Sequence, residues 1–256
     1  MQSTCHDRYS DTMAVVSREI LARAAAGARV LDIPAGAGRL GDSLREHGLT
    51  VVGADINGAR PDTVMADMTR ALPFRDGEFD VVVCMEGIEH IDNYHGLIGE
   101  LARVTRPGGT LILTMPNIAC LYSRLMFMCT GSFFQFWPTQ FRVNVDGETL
   151  FDYGHITPLT WQKVAFHFAH HGVRLEALRG NKMKRKILWP IYLPFVLAGL
   201  PWTAYRLRRR GQEVRALENR TDFYRTIERH AYSRAALTSR NIVMVMTRKD
   251  DGQTAR

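Results

Sequence analysis

The chain has 256 residues, 46% apolar and 23% charged, with four cysteines and a formal net charge of +7. That length allows one sizeable core with an appended unit or two small equal domains, and the order of motifs favours one core. Cys5, Cys84, Cys120 and Cys129 show no C-x-x-C spacing, so reduced thiols in a cytoplasm are expected rather than a zinc site or disulfides, and residues 1–10 have no apolar run of a secretory signal.

A helix is expected near residues 11–26, followed by a strand over 28–33 that passes through Asp32 into Ile33-Pro34-Ala35-Gly36-Ala37-Gly38-Arg39-Leu40-Gly41. Glycines at 36 and 38 permit a tight turn with room for a ligand, and Gly41 lets the next helix approach the strand. The G-x-G-x-x-G spacing alone also fits a dinucleotide site, leaving an NAD oxidoreductase as an alternative. Asp32 argues for a different ligand. A carboxylate there suits a cationic amino group and a sulfonium better than two phosphates.

Further short strands are expected over 50–55, 63–66, 79–84 and 109–115, with helices between them. The first two run into acids, Asp55 and Asp67, so successive strand ends carry Asp32, Asp55 and Asp67. Any one of these could be a solvated strand end, but their joint order with the glycine turn is the informative feature. Such alternation implies a Rossmann-like, doubly wound α/β sheet, mostly parallel, with its ligand beyond the carboxyl ends of the strands. A helix is expected to start at Thr157-Pro158 and end near Gly172, with a strand over 173–178 and a last strand over 241–246.

These motifs, together with Phe79-Asp80-Val81-Val82-Val83 and the Pro107-Gly108-Gly109 turn, resemble the class I S-adenosylmethionine-dependent methyltransferases over roughly residues 28–180. The resemblance implies S-adenosylmethionine as cofactor, Asp55 on the ribose, Asp67 on the adenine amino group and the Gly36–Gly38 loop on the methionine part. It places Asp32, Ile56, Met68 and Met85 with them among the cofactor-binding residues, and makes the last strand antiparallel. Pro34 stands where the family usually has its first glycine, a departure that alters the loop there.

Three units are expected: a cofactor-binding core over 1–180, a basic and apolar insertion over 181–235, and the last strand with a polar tail over 236–256. Residues 1–180 carry 16 Lys and Arg against 20 Asp and Glu, whereas residues 181–256 carry 17 against 6, an asymmetry that points to an anionic partner. Residues 187–205 are uncharged and lie between Lys182, Lys184, Arg185, Lys186 and Arg206, Arg208, Arg209, Arg210. About 20 residues are needed for one crossing, so this stretch cannot leave a bilayer and return, and its three prolines argue against a continuous helix. The expectation is a re-entrant or interfacial segment over 182–210 on an anionic membrane surface, with Trp189, Tyr192, Trp202 and Tyr205 at headgroup level. A proline-broken subdomain or a dimer contact is the alternative. No helix-turn-helix, zinc finger or stacking platform accompanies the charge, so nucleic acid is not expected.

A hydroxyl acceptor needs a base, and His90 in Glu86-Gly87-Ile88-Glu89-His90 is the first candidate, with His155 the second. Asp152 or Glu89 is a candidate to orient one of them; a purely structural role for either histidine is the alternative. His167, His170 and His171 read as surface residues, and no metal site is expected. The aromatic and Met-rich segment 119–141 suits an apolar acceptor. The function expected is O-methylation of a membrane-associated acceptor, a sugar hydroxyl of a lipid-linked glycan, by a cytoplasmic protein held peripherally at the inner membrane. A quinone-precursor or other lipid methyltransferase, and a catalytically inactive membrane-bound scaffold of the same fold, are the alternatives; oligomeric state is open.

Overall fold

The computed structural model describes residues 11–57, 60–137, 141–145, 148–152, 154–181, 189–213 and 221–250. Helix α1 (Asp11–Leu21) leads into β1 (Arg29–Asp32), α2 (Arg39–Glu46), β2 (Thr50–Asp55) and β3 (Thr63–Met65). Then come β4 (Phe79–Met85), α3 (Tyr94–Val104), β5 (Thr105–Pro116) and α4 (Leu121–Thr130). A hairpin, β6 (Phe141–Val145) and β7 (Glu148–Asp152), precedes α5 (Trp161–His170) and β8 (Val173–Gly180). The chain closes with α6 (Trp189–Glu213), α7 (Thr221–Ala231), α8 (Arg234–Thr238) and β9 (Asn241–Arg248).

Seven strands form one sheet in the order β3-β2-β1-β4-β5-β9-β8. The first five pair in parallel, and β9 runs antiparallel to both its neighbours, as expected. The apolar runs are continuous because both faces of the sheet are covered. Val30, Val81, Val83 and Ile112 point to one side and pack with Val16 and Ile20 of α1 and Leu40 and Leu44 of α2. Their neighbours Leu31, Val82, Cys84 and Leu113 point to the other and meet Leu97 and Leu101 of α3 and Trp161 and Phe168 of α5. The period of two along each strand thus divides the core between two helical layers.

Helix ends are closed by specific groups. Asn93 Oδ1 accepts from the Gly96 amide at the start of α3. At its other end, one nitrogen of Arg248 donates to the carbonyls of Ala102, Arg103 and Thr105, which the helix itself leaves unpaired. The Pro107-Gly108-Gly109 turn interrupts the β4–β5 ladder, whose pairing jumps from Phe79–Thr105 to Val81–Thr110.

Three expectations need correction. Helix α5 starts at Trp161, capped by Thr160, whose hydroxyl accepts from the Lys163 amide. Thr157 does not cap it. Its hydroxyl donates to the Ile91 carbonyl instead, so a tertiary bond has taken the capping group. Second, the prolines do not break the insertion: α6 is one helix with Pro194 and Pro201 inside it. Pro190 falls in the first turn, where an amide would be unpaired anyway, and Pro194 and Pro201 both sit on the exposed side. Third, Tyr192 is buried rather than outward-facing, packing with Leu121 of α4 and Leu237 of α8. The side chain of Trp189 and residues 182–188 lie outside the description. The far part of the insertion joins the main core through Ile227 of α7.

Candidate active site

The order of the sheet sets the tips of β3, β2, β1 and β4 side by side, and each tip carries an acid: Asp67, Asp55, Asp32 and Glu86. Asp32 and Asp55 end their strands and are almost fully buried. Asp55 Oδ2 accepts from the Gly36 amide at 2.8 Å and Oδ1 from the Asn57 amide at 2.9 Å, so one carboxylate joins the glycine turn to the β2 tip. Burial pushes the Asp32 carboxyl up to about 7; Arg45 and the Gly41 amide oppose the rise and Asp55 reinforces it.

The glycine loop has the expected sharp form. Gly36 and Gly38 have φ of +51° and +74°, a region that L side chains rarely enter, and the Ile33–Pro34 bond is cis. At Gly38 there is a second constraint: a Cβ would stand 2.5 Å from Arg60 Nη1. That guanidinium donates to the Ala37 carbonyl and pairs with Asp42 and Asp62, strapping the loop to the turn after β2. Gly41 does what its position suggested, since a Cβ there would stand 3.3 Å from Val51 of β2.

The remaining cofactor candidates lie around this row. Ile56 follows Asp55 and is exposed. Asp67 is half-buried, and its Oδ1 accepts from the amide and hydroxyl of Thr69, which together with Arg70 hold its carboxyl below the usual range. Met68 reaches the loop after β4: a Cβ on Gly87 would meet Pro34 at 2.8 Å and the Met68 methyl at 3.3 Å. Thus the loops after β1, β3 and β4 converge. Met85 is the last residue of β4 and packs against the core layer beneath α1 and α2.

Glu86 was not singled out for a role in the sequence, although it obeys the same rule as the three aspartates. Its φ is +52°, and its carboxylate is gripped from two strands, accepting from the Thr114 hydroxyl at 2.7 Å and the Asn241 side-chain Nδ2 at 2.5 Å. The next residues form a 3-10 turn, Ile88–His90. The amides of Ile156 and Thr157 both donate to the Glu89 carbonyl, docking the segment before α5 on this turn. That contact brings the two candidate histidines together from 65 residues apart: the His90 and His155 rings lie 5.0 Å apart, edge to face. Phe136 packs on His155 at 5.4 Å.

Glu89 completes the group. It is 1% exposed, its Oε1 lies 3.9 Å from His155 Nε2, and among the described residues neither carboxylate oxygen has a hydrogen-bond partner. Burial, reinforced by Glu86, pushes its carboxyl well above the usual range. Ligand atoms of Glu89, His90 and His155 all lie within 4.8 Å of one another, so this trio has the composition to hold a divalent cation. The side chain of Asp152 lies outside the description. His167 and His170 sit on α5, where the His167 ring lies 3.9 Å from that of His95.

Known proteins resemble this chain in sequence and in fold. The model of a methyltransferase domain family matches residues 6–163, more than half of the chain. The demethylmenaquinone methyltransferase of Beutenbergia cavernae is 39% identical over 34% of this chain and 40% of its own length. The ubiquinone biosynthesis O-methyltransferase of Dechloromonas aromatica is 31% identical over 36% of this chain and 46% of its own. The chain therefore spans less than half the length of these curated relatives. Over the whole fold, a crystal structure of a SAM-dependent methyltransferase from Archaeoglobus fulgidus superposes with a TM-score of 0.56 at 16% identity, covering 93% of this chain and 94% of that one. A row of acids on adjacent strand tips, a glycine turn tied to the Asp55 carboxylate, and the family match together make this chain a member of the class I S-adenosylmethionine-dependent methyltransferase family.

Proposed function

We propose that the protein transfers a methyl group from S-adenosylmethionine to a hydroxyl of an apolar, lipid-attached acceptor, with His90, or His155 in its place, taking the hydroxyl proton. The observation that carries this is the pairing of those histidines beside Glu89, on the turn that directly follows the β4 tip. Asp32, Asp55, Ile56, Asp67, Met68 and Met85 bind the cofactor in this reading, with Gly36 and Gly38 around its methionine part. As the acceptor oxygen attacks, the O–CH3 bond forms and the S–CH3 bond breaks. The bonding pair passes to sulfur and the hydroxyl proton to an imidazole.

Support for an apolar acceptor comes from the aromatic segment beside the histidines. Phe136 touches His155, Phe134 packs on Tyr122, and Phe133 stacks on the exposed Phe127 of α4. This run of rings leads from the histidine pair to the surface and suits a hydrocarbon tail. A lipid-linked glycan remains one acceptor class. The names of the relatives weigh for the other, a quinone precursor. Either acceptor brings the protein to the inner membrane as a peripheral, cytoplasmic enzyme.

The test is incubation with radiolabelled methyl donor and a membrane lipid extract divided into glycolipid and quinone fractions. Label in one fraction identifies the class, and label in neither removes this reading. His90→Ala or His155→Ala should lower turnover by about 100-fold or more while leaving S-adenosylmethionine affinity by calorimetry unchanged. Turnover at the native rate in both variants would take the base role from them.

A second reading is favoured by the buried carboxylate that has no hydrogen-bond donor: a divalent cation on Glu89, His90 and His155 that makes the acceptor hydroxyl acidic. Loss of transfer on chelation, restored by added metal and absent in Glu89→Gln, would select it over a histidine base.

A further inference from the structure

Helix α6 has two unlike sides. Tyr192, Val196 and Gly199, spaced four and three residues apart, face inward: Tyr192 and Val196 join Leu121, Leu125 and Leu237, and the Tyr232 hydroxyl donates to the Gly199 carbonyl at 3.0 Å. About a quarter-turn round the helix, Ile191, Phe195, Trp202 and Tyr205 form an outer stripe, with Phe195 73% and Trp202 65% exposed. On α4, Met128 continues the stripe of Leu121 and Leu125 that meets α6, one turn farther on, and is 75% exposed. An exposed row of large apolar and aromatic side chains on this scale marks a surface that something covers.

Charge decides between occupants. No acidic residue occurs between 189 and 212, and cations cluster at both ends, at 182–186 in sequence and at Arg206, Arg208, Arg209 and Arg210. If α6 paired with α6 of a second copy, parallel or antiparallel, a basic end would always meet a basic end. An anionic surface is attracted at both ends. No described helix is long and apolar enough to cross a membrane, which leaves a helix lying in the plane of the interface. The Arg206 guanidinium, 5.8 Å from the Trp202 ring, sits where headgroup meets hydrocarbon in such a pose.

We infer that α6 is a monotopic seat: the Ile191–Phe195–Trp202–Tyr205 side, edged by Met128, lies in the surface of an anionic bilayer. The seat puts α4, which starts just beyond the β5 tip, at the lipid surface. It deepens the membrane-acceptor reading above and rests on it for its purpose, though not for its geometry.

The full chain is tested by flotation with vesicles of phosphatidylcholine alone and of phosphatidylcholine mixed with phosphatidylglycerol. Binding is expected to the mixed vesicles and to weaken with salt. The double variant Phe195→Asp, Trp202→Asp should lower vesicle affinity about tenfold or more, with S-adenosylmethionine affinity unchanged as proof of folding. Equal binding to both vesicle types, or full binding by the double variant, overturns the seat. So does a dimer in sedimentation that the double variant abolishes while no vesicle is bound. Methyl transfer into detergent-dispersed lipid extract separates the two proposals. Transfer without vesicle binding sinks the seat alone, and vesicle binding by the α6 side without transfer upholds the seat and sinks the reaction.

Discussion

At the scale of single residues, Asp32 is the most perturbed of the acids proposed to bind the cofactor. Its carboxyl sits near 7 in the folded chain and near 3.8 unfolded, so between those values the native state binds the extra proton. The stability this contributes is fully present below pH 4 and is lost as pH rises through 7. A cationic ligand reverses the preference and expels the proton. S-adenosylmethionine affinity should therefore rise by up to about tenfold per pH unit from pH 5 to 7 and level off above, with proton release visible in buffers of different ionisation enthalpy. Asp32→Asn should flatten that profile, and a profile identical to the native one would move the titration elsewhere. Asp55→Ala removes the acceptor of two loop amides, Gly36 and Asn57, as well as the proposed ribose contact. A rise in the dissociation constant of about 10-fold to 100-fold by calorimetry is expected.

At the scale of elements, Asn117 holds together what the β5 tip supports. Its amide nitrogen donates to the carbonyls of Ala235, Ala236 and Ser239, and its own amide donates to the Arg240 carbonyl. These bonds tie the start of the α4 segment to α8 and the entry into β9. Asn117→Ala leaves buried carbonyls without their donor and should cost about 1–3 kcal/mol in urea unfolding. Asn117→Asp should cost at least as much, because a carboxylate cannot donate to those carbonyls. A neutral result for both would mean that water replaces the side chain fully.

At the scale of the whole molecule, cofactor binding as proposed joins four neighbouring strand tips and should stabilise the entire sheet. At 100 times the dissociation constant, linkage gives about 2.7 kcal/mol, or roughly 5–10 °C in midpoint for a domain of this size. S-adenosylmethionine should produce that shift in thermal unfolding and NADH should not. The opposite pattern would return the glycine turn to the dinucleotide class.

Much of this molecule follows from local pattern in its sequence. Apolar runs ending in Asp32 and Asp55 and the Gly36–Gly38 turn mark strands and a ligand loop wherever they occur, because backbone angles and burial on both faces leave few other conformations for them. The order of those runs was enough for the parallel sheet, and the family resemblance for the antiparallel last strand. Tertiary contacts decided the rest. His155 stands by His90 because the Ile156 and Thr157 amides dock on the Glu89 carbonyl, a bond across 67 and 68 residues that no periodicity records. The same docking took Thr157 from the helix cap it was expected to make. Helix α6 stays continuous through Pro194 and Pro201 because an inner stripe anchored by Tyr192 and Val196 packs on α4 and α8, outweighing a local preference to break. Sequence determines what each segment can be alone, whereas the sites where segments meet are set by packing and by hydrogen bonds between distant residues, which only the folded chain creates.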